Sequence, residues 1–169
     1  FHYIPEDLKI GNQQLIEMVG AYADKAPFPV YLYHNIKRGR ALTPATVGSL
    51  KNHPNVRGMK VGGYDEQEMK AFLELENSGF QILGSGGGQV IKWLDIGASA
   101  VTASSACCFP GLFTQLYKAY QTDDRDKALE YQQIWNDFHQ AIPNTAPDNG
   151  EYAAEEKYIL MKLGIIQNA

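Results

Sequence analysis

The sequence predicts an α/β fold with a parallel sheet, followed by a helical tail. Three observations carry this. Short apolar runs rich in β-forming residues alternate with segments of helical periodicity as far as Ala103. Strand and helix alternating at this cadence imply parallel strands joined by right-handed crossovers. The runs are apolar almost throughout, as in sheets covered on both faces. Beyond Ala103, three helical patterns follow one another with no strand between them.

Taken in order, Phe1 to Ile4 reads as the tail of a strand. Asn12 to Asp24 carries Leu15, Ile16, Val19 and Tyr22 at helical spacing, with Asn12 as the cap. Pro29 to Tyr33 is a buried strand opened by proline, a tolerated first position. Thr43-Pro44 starts a helix with a capping hydroxyl and a proline in the first turn, running to about Asn52. Val56 to Val61 is the next strand, and Asp65 to Asn77 a helix closed by Gly79. Phe80 to Gly84, a helix from Gly88 to Asp95 closed by Gly97, and the strand Ala98 to Ala103 complete the alternation. The tail helices span Pro110 to Gln121, Asp126 to Ala141 and Tyr152 to Leu163. The polar junction Asp123–Asp126 and the loop Asn144–Gly150 separate them. A doubly wound sheet and a barrel both satisfy this pattern.

Composition narrows the function. The 169 residues are 44% hydrophobic and 20% charged, with a formal charge of −4. The basic residues are scattered, so no cationic face for nucleic acid or an acidic membrane is expected. No apolar run approaches the ~20 residues that span a bilayer. Phe1 to Pro5 lacks the basic-then-apolar order of a signal peptide, and a chain opening on a strand end without Met is expected to have lost residues before Phe1. Cys107 and Cys108 are adjacent, which disfavours a bridge between them, and too few for a zinc site. Reduced thiols and a cytoplasmic location are expected. His2, His34, His53 and His139 show no ligand spacing, so no metal site is expected; His139 reads as helix surface.

The sharpest chemical signal is Lys60, in Gly58-Met59-Lys60-Val61-Gly62-Gly63 at the end of an apolar strand. A lysine in such a run must reach a pocket or bear a burial cost. An ordinary amine, with a pKa near ~10.4, is protonated and cannot attack a carbonyl. Desolvation frees the lone pair, as Schiff-base lysines require, and the following glycines leave room for a substrate. Taken alone, the segment fits a lysine snorkelling towards solvent better. Tyr33 ends the preceding strand and would pass protons at the same rim if the strands are neighbours; a rim tyrosine with a satisfied hydroxyl is the commoner case. Gly84 to Gly88 has amides that suit a phosphate or carboxylate, yet lacks P-loop and dinucleotide spacing, and a plain tight turn fits as well. Lys37-Arg38-Gly39-Arg40 is a basic loop, equally compatible with meeting a carboxylate and with an ordinary surface turn.

Together, Tyr31-Leu32-Tyr33-His34, Leu42-Thr43-Pro44-Ala45-Thr46 and Asn55-Val56-Arg57-Gly58-Met59-Lys60 resemble the dihydrodipicolinate synthase / N-acetylneuraminate lyase family. Ile82 to Gly86 is similar to its seventh strand and following loop, and Gly97 to Thr102 to its eighth. The resemblance implies a (β/α)8 TIM barrel of ~250 residues when complete. This chain would supply its C-terminal portion, about strands 5 to 8, plus a C-terminal helical tail. Residues 1–109 would be partial barrel, and 110–169 the last barrel helix and the extension.

It also implies a Schiff-base aldolase or lyase acting on pyruvate or another 2-keto acid and an aldehyde. Lys60 would form the imine and Tyr33 relay protons. Thr102 would lie beside bound pyruvate, Arg38 would meet the second substrate's carboxylate, and Tyr3 matches a tyrosine that reaches a neighbouring subunit. No cofactor is implied, and a homo-oligomer (dimer or tetramer) is expected at full length, with the 169 residues alone inactive. His34 and Ile36 depart from the family's usual Asn and Pro, and Cys107 stands where Asn is frequent; these bear on the aldehyde more than on the imine step. A catalytically silent keto-acid binder and a doubly wound ligand-binding protein are the alternatives.

Overall fold

The computed structural model describes residues 2–3 (backbone), 10–35, 41–62, 65–142 and 154–168. Five strands, β1 (His2–Tyr3), β2 (Val30–Asn35), β3 (Val56–Gly62), β4 (Gln81–Ser85) and β5 (Ala100–Thr102), form one sheet. Every neighbouring pair is parallel, and the spatial order is the chain order, β1-β2-β3-β4-β5. That order decides between the two architectures. A doubly wound sheet reverses direction at a switch point; among the described residues this sheet never does. It winds one way, as barrel strands do.

The helices are α1 (Asn12–Lys25), α2 (Pro44–Leu50), α3 (Glu66–Leu73), α4 (Val90–Asp95), α5 (Pro110–Gln121), α6 (Arg125–Ala141) and α7 (Ala154–Lys162). No helix among the described residues is long and apolar enough to cross a membrane. The chain divides into two compact units, Phe1–Ser85 with Lys92–Thr102, and Gly86–Ile91 with Ala103–Ala169.

In the first unit, one sheet face carries the core. Leu32, Met59 and Ile82 are fully buried against Leu15 and Val19 of α1, Val47 and Leu50 of α2, and Met69 and Phe72 of α3. Gly84 lies on the same face because Trp93 packs there: a Cβ at Gly84 would stand 2.7 Å from Trp93 Cγ. Asn55 sets the entry to β2, its amide donating to the carbonyls of Ala23 (2.8 Å), Ala26 (3.1 Å) and Phe28 (3.1 Å).

The caps largely follow the sequence. Thr43 Oγ1 accepts from the Thr46 amide at 3.2 Å. Asp65 accepts from Glu68 N (2.8 Å) while Glu68 accepts from Asp65 N (3.1 Å), a reciprocal capping box. Two expectations are corrected. Asn12 is the first helical residue and not the cap; Gly11 holds that position, its amide satisfied by the Gln14 side chain at 2.9 Å. α3 stops at Leu73, short of Asn77. There Glu76 turns to accept from the Ile82 amide (3.1 Å) and the Ser99 hydroxyl (2.7 Å), and Asn77 pairs with Phe80 around a turn that holds Gly79.

The second unit is helical. Trp135 on α6 is 5% exposed and ringed by Phe109, Phe113 and Phe138, with centroids 5.4–5.9 Å away. A 3-10 turn at Ser104–Cys107, unforeseen in the sequence, precedes α5. Cys107 and Cys108 are free thiols, with sulfurs 3.7 Å apart.

Candidate active site

The strand register brings Tyr33, Lys60 and Thr102 to one face of the sheet, with the backbone of Tyr3 beside Tyr33. Tyr3 pairs with Tyr33, Tyr33 with Lys60, Lys60 with Leu83, and Leu83 with Ala100. Because side chains alternate along a strand, Tyr31, Tyr33 and Asn35 share a face with Gly58, Lys60 and Gly62, with Gln81, Leu83 and Ser85, and with Ala100 and Thr102. This is the face opposite the helices. Tyr31 crosses it to donate its hydroxyl to the Gln81 side chain. Gly58 makes the crossing possible, since a Cβ there would overlap the Tyr31 ring.

Lys60 is only 9% exposed. Its Nζ lies over the Tyr33 ring, 4.4 Å from the centroid. That cation–π contact, worth about 1 kcal/mol, holds the amine beside the phenol-bearing residue. Among the described residues no carboxylate pairs with it. The side chain runs towards the C-terminal end of β3, because a Cβ built on Gly62 would stand 2.8 Å from Nζ. The same Cβ would stand 2.9 Å from Ser85 Oγ. Glycine at position 62 therefore leaves open the space that the amine and this hydroxyl flank. A buried amine with no carboxylate partner, at a strand end next to a phenol, can act as a nucleophile towards a carbonyl.

Thr102 lies on the same face, at the end of β5, paired with Ser85. Its hydroxyl donates to the Gly84 carbonyl at 3.2 Å, so its orientation is fixed by the sheet. Arg38 lies outside the described residues, as do the rest of the basic loop and Gly63. For Tyr3 the backbone alone is described, in β1 beside β2.

Two features were not legible in the sequence. His34, next to Tyr33 but on the helix-facing side, is 1% exposed. Its Nδ1 accepts from the Leu42 amide at 3.4 Å, and its ring packs 6.0 Å from that of Phe72. Burial, reinforced by the charge on Lys60, lowers its pKa to about 4, so it is neutral near pH 7. The other is Ser85, which the sequence reading absorbed into a glycine-rich loop. Strand alternation puts Ser85 on the face of Leu83, but its closeness to Lys60 needs the register between β3 and β4.

At the helix start that follows Gly84 to Gly88, three amides are already committed within the protein. The Val90 and Ile91 amides are taken by the Gln132 side-chain oxygen (3.0 and 3.4 Å), and the Gln89 amide by the Gly86 carbonyl. Gln132 also donates to the Gly87 carbonyl at 2.8 Å. A cavity of about 470 Å³ does adjoin this turn, but Glu155 and Glu156 help line it, and they would repel an anion. His139 also lines it and meets Trp135 edge-on, with ring centroids 5.5 Å apart, exposed on α6 as expected.

Comparison with known proteins places this geometry in context. Residues 9–156 match the model of the dihydrodipicolinate synthetase family. Over 119 residues the chain is 30% identical to the 4-hydroxy-tetrahydrodipicolinate synthase of an Exiguobacterium species, covering 70% of this chain and 41% of that protein. Over 170 residues it is 27% identical to the enzyme of that name from Pseudoalteromonas atlantica, covering 98% of this chain and 55% of the other. The chain thus spans about half the length of the curated relatives it matches. Dihydrodipicolinate synthase from Bacteroides thetaiotaomicron superposes with a TM-score of 0.84 at 22% identity, over 95% of this chain and 55% of that one. The 2-keto 3-deoxygluconate aldolase from Picrophilus torridus gives 0.81 at 18% identity, over 96% and 58%. These likenesses show the fold, that of TIM-barrel proteins of this family.

Proposed function

The chain belongs to the dihydrodipicolinate synthetase family, and from that premise we propose that the protein joins a 2-keto acid such as pyruvate to an aldehyde, or cleaves their adduct, through an imine on Lys60. The observation that carries this is the buried Lys60 amine over the Tyr33 ring, with no carboxylate partner among the described residues. In its neutral form the amine attacks the keto carbon, and loss of water gives the imine. Once protonated on nitrogen, the imine draws electrons from the neighbouring carbon, which loses a proton to become the enamine that attacks the aldehyde. Tyr33 exchanges protons with these intermediates. The end of β5 at Thr102 borders the keto acid, Arg38 receives a carboxylate of the second substrate, and Tyr3 reaches a partner subunit in a homo-oligomer.

These residues form the C-terminal portion of a barrel. The five-stranded parallel sheet fits this, being covered by helices on one face and carrying Tyr33, Lys60, Ser85 and Thr102 on the other. The chain spans about half the length of its curated relatives, so activity belongs to the full protein and the 169 residues alone are inactive. Free neighbouring thiols accord with a cytoplasmic setting.

The test is pyruvate consumption by the full protein against a panel of aldehydes. Turnover with at least one aldehyde, abolished in Lys60→Met, is expected. Turnover that survives Lys60→Met contradicts an imine route. Keto-acid binding without turnover of any aldehyde would instead support a silent family member.

A further inference from the structure

We propose that Ser85 is a catalytic residue of this site, relaying the proton that must move when the Lys60 carbinolamine loses water. The inference rests on the imine reading above and goes beyond it by adding a second group, besides Tyr33, to the proton transfers at the Lys60 nitrogen. Lys60 and Ser85 stand on adjacent strands and the same face, two residues out of direct register. Their functional atoms converge on one point, 2.8 Å from Nζ and 2.9 Å from Oγ, where the side chain of residue 62 would begin if it were not glycine. The Ser85 hydroxyl makes no hydrogen bond among the described residues, so it is available to a ligand. Its backbone is held, because Trp93 Nε1 donates to the Ser85 carbonyl at 2.9 Å. A pinned main chain with an uncommitted hydroxyl beside a nucleophilic nitrogen is the arrangement a relay needs.

The step balances without a further reactant. In the carbinolamine the former keto carbon carries a hydroxyl and the Lys60 N–H. As the C–O bond breaks, the nitrogen lone pair forms the C=N bond. The nitrogen's proton passes to Ser85 Oγ, and the Ser85 proton passes to the departing oxygen, which leaves as water. Ser85 ends as it began, and the product is the neutral imine. Hydration of the imine at the end of the cycle runs the same relay backwards. Gly62 is what lets the two groups share this space, since any side chain there would displace one of them.

The experiment separates the rate of imine formation from its extent. The full protein is mixed with pyruvate, quenched with borohydride at increasing times, and its adduct measured by mass. Ser85→Ala is expected to slow adduct formation about 100-fold, the lower end of what a positioned acid–base group contributes, with the final yield unchanged. Ser85→Thr, which keeps the hydroxyl, should recover most of the rate. If Ser85→Ala forms adduct at the wild-type rate, the relay is wrong. If both variants are slow and also reach a lower final yield, the residue serves packing and the relay is again wrong. Ser85→Cys, similar in shape and a weak donor, replaces the alanine variant if that one does not fold, and is expected to be slow. A wild-type protein that forms no adduct at all refutes the imine reading itself, a result distinct from either failure of Ser85.

Discussion

Met59 and Lys60 are neighbours in sequence and lie on opposite faces of one strand. Met59 is fully buried among the helices; Lys60 points to the other face, beneath Tyr33 and towards Ser85. The same contrast runs across the sheet. Leu32, Met59 and Ile82 face α1, α2 and α3, whereas Tyr33, Lys60, Ser85 and Thr102 share the opposite side. A strand's two-residue period thus assigns cohesion to one face and polar chemistry to the other. It follows that stability and reactivity should be separable by mutating adjacent residues.

The largest expected loss of stability is on the helix-facing side. Met59→Ala should lower unfolding free energy by about 2–5 kcal/mol through lost burial and the cavity left behind, read from denaturant midpoints at constant slope. The variant should still form the keto-acid adduct under conditions where it is folded. A Lys60→Met variant losing comparable stability would break the division between the faces, because a buried amine replaced by an apolar chain gives up little cohesion.

The next effect comes from His34, the one buried polar side chain on the helix-facing side of β2. Its pKa falls from 6.5 to about 4 on folding. Between those values the unfolded chain binds the proton and the folded chain does not, so stability declines as pH drops from 6.5 towards 4 and is unaffected by this group above 6.5. A shift of this size corresponds to about 3 kcal/mol across the window. His34→Asn should flatten that part of the stability–pH curve; an unchanged slope would show that other groups set it.

Much of this division was legible in the sequence. The strands around Tyr33 and Lys60, the Thr43-Pro44 start of α2, and α5 from Pro110 to Gln121 are local patterns, and each matches the structure within a residue or two. The end of α3 was not, because Glu76 leaves the helix for partners at Ile82 and Ser99 that no local propensity reveals. Ser85 and Gly62 were hidden for a related reason. Their closeness follows from the register between β3 and β4, and register is a property of two strands together. Gln132 reaches the amides of Val90 and Ile91 from 42 and 41 residues away, committing two donors that the glycines alone left open to an anion.

The most direct test of the account is to learn which lysine reacts. The full protein would be treated with pyruvate and borohydride, digested, and its peptides mapped by mass spectrometry. The reduced adduct is expected on Lys60 and on no other lysine of this chain. An unmodified Lys60, or an adduct spread over exposed lysines such as Lys70 and Lys118, would contradict it.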